Sequence, residues 1–106
     1  YGSWFRNGGK IMRFLESLGF SKEEIAKFKD SVADVMLETL DGNKKLVKAN
    51  LQYLIDLGVK NVHDIFFNYY ELFLLDYSNF TGIFNKYDRE DLIEKLEKNV
   101  AIVEYL

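Results

Sequence analysis

Leu54-Ile55-Asp56-Leu57-Gly58-Val59 carries an apolar helical face into Leu-Gly-apolar, and Leu15-Glu16-Ser17-Leu18-Gly19-Phe20 repeats the device. Each reads as a helix stopped by glycine, because the left-handed backbone of a helix C-terminus penalises any residue with a Cβ. The copies lie about 39 residues apart, within the period range of helical repeat arrays. The helices at 10–18 and 44–57 are therefore expected to be equivalent, with Leu15 corresponding to Leu54 and Gly19 to Gly58.

Outward from these stops the apolar spacing stays helical. Ile11, Phe14, Leu15 and Leu18 form one stripe. Ser21-Lys22-Glu23-Glu24 is a capping box that opens a second helix, whose apolar period runs through Ile25, Phe28, Val32, Val35 and Met36 to about Leu37. Asp41-Gly42-Asn43 breaks it. The helix at 44–57 presents Val47, Leu51, Leu54 and Ile55 to a core. Asn61 is placed to cap a fourth helix from Val62, which is apolar on every side as far as residue 75 and is buried on several faces or part of an interface. Residues 77–87 read as a short helix or structured loop. Asp88 caps a last helix, with Leu92, Ile93, Leu96, Val100 and Val103 on one face. The apolar end at 101–106 calls for burial against the preceding repeat, or marks a truncated array. These signals predict an all-α fold of tandem helical repeats, a short α-solenoid or compact five-helix bundle. Residues 10–106 form a single helical domain in this reading, and residues 1–9 a flexible N-terminal segment or cloning remnant.

Composition limits the function classes. The chain has 106 residues, 48 % hydrophobic and 16 % aromatic, enough for one domain with a real core. It has neither cysteine nor proline, so disulfides and thiolate metal sites are out of reach. A reducing, intracellular compartment is compatible, and none is specified. The net charge of −3 lacks the basic excess of a general nucleic-acid-binding surface. No apolar run approaches the roughly 18–20 residues of a membrane span, and no association with a membrane is expected.

Sites for chemistry are scarce. Asp30, Asp34 and Glu38 recur at helical spacing, but metal sites need ligands converging from more than one element, so this row reads as a solvated face. His63 is the only histidine and reads as an exposed residue in the first turn of its helix, rather than a ligand or base. No nucleophile–base set, glycine-rich phosphate loop or metal-ligand spacing is present. No enzyme activity, catalytic residue, metal or cofactor is expected. Gly19-Phe20-Ser21-Lys22-Glu23-Glu24-Ile25-Ala26 looks like the start of a helix-turn-helix, but the apolar period running unbroken to about Leu37 leaves no room for its turn.

The repeat, with Phe14 to Ile25, Asn50 to Val59 and Tyr70-Glu71-Leu72-Phe73-Leu74-Leu75-Asp76, resembles the helical repeats of the mitochondrial transcription termination factor (mTERF) family. The resemblance covers residues 10–76, and residues 99–106 open a third repeat in this alignment. It departs from the family at Tyr70, where a proline is usual, and in its acidic charge. It implies a helical solenoid, and nucleic-acid binding along a concave face through Lys10, Arg13, Lys44, Lys45, Lys48 and Lys60.

Two functional readings follow. The first is a non-enzymatic module that binds a protein partner or self-associates, anchored by Phe67, Tyr70 and Leu74 of the fourth helix, since aromatic residues dominate interface energetics. The alternative is the nucleic-acid-binding repeat that the resemblance implies. Convergence of its six cations on one face would favour it; scatter among carboxylates would count against it.

Overall fold

Both Leu-Gly stops adopt the same geometry in the computed structural model, which describes residues 11–106. The expected N-terminal segment 1–9 and Lys10 lie outside the described residues. Gly19 has φ +92° and Gly58 φ +103°. The Gly19 N–H donates to the Glu16 carbonyl at 3.2 Å and the Phe20 N–H to the Leu15 carbonyl at 3.2 Å. The corresponding pairs at the second stop are Gly58 to Ile55 at 3.1 Å and Val59 to Leu54 at 3.2 Å. This is a Schellman closure in both places, and it puts Leu15 in register with Leu54.

The described residues form helices and no strand. A 3₁₀ helix (Arg13–Leu18) leads into α1 (Lys22–Ser31) and α2 (Asp34–Gly42). Next come α3 (Lys44–Leu57), α4 (Val62–Tyr69) and a second 3₁₀ helix (Tyr70–Leu74). The last are α5 (Tyr77–Asn85), α6 (Arg89–Lys98) and a third 3₁₀ helix (Val100–Tyr105). Taken three at a time in chain order these helices make three units, residues 13–42, 44–74 and 77–105, of which the last two share the order of two α helices and a closing 3₁₀ helix. Residues 99–106 contain the third 3₁₀ helix, which closes the unit that begins at Tyr77, and the first helix of that unit ends without the glycine that marks the other two.

Local chemistry explains where the helices depart from expectation. Residues 13–18 are 3₁₀ rather than α, and Met12, Leu15 and Leu18, spaced by three, are all buried on one side, as a three-residue turn requires. The helix expected to run unbroken to Leu37 stops at Ser31, whose hydroxyl donates to the Phe28 carbonyl at 3.1 Å and competes with the helical ladder. Val32 and Ala33 are extended, with ψ of 140° and 144°. The acidic row is therefore split between two helices. The fourth helix tightens from α to 3₁₀ at Tyr69, which has φ −134° and ψ 41°. Asn61 precedes α4 but does not cap it; its amide nitrogen instead donates to the Leu96 carbonyl of α6 at 2.8 Å. Ser21 and Asp88 do cap, accepting from the Glu24 and Asp91 amides at 3.1 Å and 3.2 Å.

The core is organised on α3, which packs against the first two 3₁₀ helices, α2, α4 and α5. Its Val47, Leu51 and Leu54 are fully buried. Beside them, buried Asn50 donates to the Phe73 and Leu75 carbonyls at 3.0 Å and 2.9 Å, so one amide satisfies the closing turn of the second unit. A file of phenylalanines joins the three units. Ring centroids lie 5.1 Å apart for Phe28–Phe66 and 5.3 Å for Phe66–Phe73. The file continues at 5.0 Å for both Phe73–Phe80 and Phe80–Phe84. No helix in the described residues is long and apolar enough to cross a membrane.

Two substitutions test this packing. Asn50→Leu removes both donors and leaves buried carbonyls unpaired, each worth about 1–3 kcal/mol, so urea unfolding should show a loss of about 2–4 kcal/mol. Gly58→Ala places a Cβ at positive φ, 3.4 Å from both Arg89 Nη2 and Ile93 Cδ1. It should lower stability by about 1–2 kcal/mol in the same assay.

Candidate functional site

The end of α4 and the second 3₁₀ helix face the third 3₁₀ helix across a groove of about 540 Å³. Asn68, Tyr69, Tyr70, Glu71, Leu72, Leu75, Val103 and Glu104 line it. The change from 3.6 to 3.0 residues per turn at Tyr69 builds this wall. It lets two successive tyrosines share the groove while Phe73, a turn later, remains fully buried in the ring file. Leu72 and Leu75 are half-buried and Val103 is buried; Asn68, Glu71 and Glu104 are exposed at the rim. The Tyr69 phenol is pushed above its usual range, first by partial burial and then by the charge of the Glu104 carboxylate. It stays a neutral donor at physiological pH. The titratable side chains lining the groove are two phenols and two carboxylates. They offer shape and negative charge, with no nucleophile beside a base.

The predicted anchors separate. Tyr70 lines this groove and packs edge-on against Phe28, with centroids 5.4 Å apart. Phe67 packs on Phe20 at 5.4 Å and Phe28 at 5.5 Å, and lines a smaller cleft with Glu24, Lys27, Phe28 and Ser31. Leu74 is half-buried against the core and lines neither. None of Phe66, Phe67, Tyr69, Tyr70, Phe73 and Leu74 is exposed, so the all-round apolarity of this segment reflects its central position. Tyr69, Leu72 and Leu75 carried a helical signal in the sequence but no sign of a shared groove. Val103 carried a helical signal of its own and Glu71 and Glu104 none, and nothing joined the two walls because the second comes from about thirty residues downstream.

The predicted cations share none of the three clefts. Lys10 lies outside the described residues. Arg13 pairs with Glu16 at 3.6 Å and lines a shallow cleft with Glu16, Lys22, Ile25, Ala26 and Lys29, which Lys44, Lys45, Lys48 and Lys60 do not enter. Burial pushes the Lys29 ammonium below its usual range, opposed by the Asp41 carboxylate. Lys44, Lys45 and Lys48 are exposed along the first turns of α3, and Lys60 pairs with Glu97 at 3.8 Å. The break at Val32–Ala33 supplies the turn that the helix-turn-helix reading lacked. The helix after it, however, carries Asp34, Glu38 and Asp41 and no cation, which is the wrong charge for phosphates. Among the described residues, no group of three or more His, Cys, Asp or Glu side chains is arranged to hold a metal ion.

His63 differs from the exposed residue expected. It is half-buried, its ring stacks on Phe20 with centroids 3.9 Å apart, and its Nδ1 lies 2.9 Å from Glu24 Oε2. Glu24 also accepts from the Ser21 amide at 2.9 Å, so one carboxylate closes the first capping box and ties it to the second unit. The Ser21 backbone bond, followed by the His63 bond, holds the Glu24 carboxyl below its ordinary 4.5.

A depressed carboxyl pKa contributes stability that is present above the unfolded value and lost as pH falls through the folded one. The stability gap between wild type and Glu24→Gln should therefore be widest above about pH 5 and close at lower pH, measured by urea unfolding at stepped pH. In a His63→Gln background the gap should shrink but persist, because the Ser21 bond is the larger cause. Compared with known proteins, the chain matches no family model, and neither curated proteins nor solved structures give a significant match.

Proposed function

We propose that the domain is a non-enzymatic interaction module that docks a segment of a protein partner in the groove between Tyr69–Leu75 and Val103–Glu104. The observation that carries this reading is the groove itself: aromatic walls, an apolar floor and a polar rim. That combination characterises interface cores, where tyrosine contributes large contact area and a polar tip. Its volume also lies within the roughly 300–1,000 Å³ of small-ligand pockets, but it opens along a surface between helices and lacks a nucleophile–base pair. The preceding phenylalanine file anchors the wall from behind, so little ordering cost is incurred on docking. The alternative, nucleic-acid binding of the mTERF type, rests on Lys44, Lys45 and Lys48, since of its other described cations Arg13 pairs with Glu16 and Lys60 with Glu97.

Selection of displayed random peptides on the intact domain tests the proposal, with amide-shift mapping of the selected binders. Shifts should centre on Asn68 to Leu75 and Val103 to Glu104. Asn68→Trp, a substitution at an exposed rim position that fills the groove, should weaken binding at least about tenfold, or 1.4 kcal/mol, with an unchanged melting temperature. Binders that map elsewhere, or bind the Asn68→Trp protein equally well, overturn the proposal. Oligonucleotides that shift Lys44, Lys45 and Lys48 while no peptide enters the groove would establish the alternative.

A further inference from the structure

We infer that the groove selects a cationic side chain, so that the partner segment presents an arginine or lysine next to an apolar anchor. The inference rests on the docking reading and adds the chemistry of the occupant. Two carboxylates, Glu71 and Glu104, stand exposed on the rim, and no Lys, Arg or His lines the groove. The other two clefts described above both carry cations: Arg13, Lys22 and Lys29 in one and Lys27 in the other. Glu71 has no hydrogen bond or ion pair among the described residues, so its charge is uncommitted. Glu104 lines the same groove as Tyr69 and is in no ion pair among the described residues, and an ionised carboxylate offers about four lone-pair sites to a cation.

Between these carboxylates lie Tyr69 and Tyr70, whose rings can attract a guanidinium or ammonium group through their quadrupoles. The floor of Leu72, Leu75 and Val103 suits the methylene stem or a neighbouring leucine-like side chain. A phosphate-bearing ligand meets repulsion at the same rim. The chain's net charge of −3 adds long-range attraction for a basic segment, which falls with ionic strength.

The test uses two blocked synthetic peptides, one with leucines and two arginines and one with citrulline at both arginine positions. Citrulline keeps the shape and removes the charge. Each is titrated into the isotope-labelled domain at low and high salt. The arginine peptide should shift the amides of Tyr69, Tyr70, Glu71 and Glu104. Its dissociation constant should rise about tenfold or more with citrulline, and similarly in the double variant Glu71→Gln/Glu104→Gln, which should melt at the wild-type temperature. If the citrulline peptide binds the groove as tightly, the cation is overturned and the docking reading survives. If the arginine peptide leaves these four amides unmoved, the cation inference is overturned whichever peptides the display experiment selects. Selection of uncharged peptides that map to the groove would again leave docking standing alone.

Discussion

A single file of aromatic rings sets the architecture. Phe28 belongs to the first unit, Phe66 and Phe73 to the second, and Phe80 and Phe84 to the third; the last four are fully buried. Each ring contacts the next at 5.0–5.3 Å between centroids, the distance at which tilted and edge-on pairs add about 0.5–1.5 kcal/mol beyond burial. Units made of short helices cannot bury an apolar face alone. Here the burial is shared across unit boundaries, so the three short units hold one another in place. The buried Asn50 amide completes the arrangement by pairing the carbonyls where the second closing helix turns outward.

The groove depends on that file. Tyr69 and Tyr70 can face outward because Phe66 and Phe73, on the same stretch of chain, face inward. The tightening to a 3₁₀ helix at Tyr70 gives the two sets of rings opposite sides. On the other wall, the third 3₁₀ helix packs on α4, with Val103 buried and its neighbour Glu104 exposed on the rim. Core and rim are therefore set by adjacent residues, which makes the groove preformed. Such preformation lowers the ordering cost that limits affinity in small interfaces.

Much of this was legible residue by residue. Gly19 and Gly58 announced their positive φ because few other residues tolerate it. Ser21 with Glu24, and Asp88, announced helix starts because their side chains compete for amides of the first turn. The all-α class followed from these caps and stops together with the helical period. The sequence was silent where tertiary contacts overrode local preference. Val32 continues an apolar helical period yet sits in extended backbone. Asn61 stands at a helix start yet spends its amide on α6. Tyr69 looks helical on both sides yet marks the change of pitch. The third unit was hidden because it has no glycine at its first stop, and the groove because its walls lie about thirty residues apart with no shared periodicity. His63 looked solitary because its partner, Glu24, lies 39 residues away along the chain.

The ring file makes three short helical units one cooperative body. Urea unfolding of Phe73→Ala, followed at once by backbone dichroism and tyrosine fluorescence, tests it most directly. Coincident single transitions shifted by about 3–5 kcal/mol are expected, the cost of removing a fully buried phenylalanine that no neighbour can replace. A loss below about 1 kcal/mol, or transitions that separate in the wild-type protein, would contradict it.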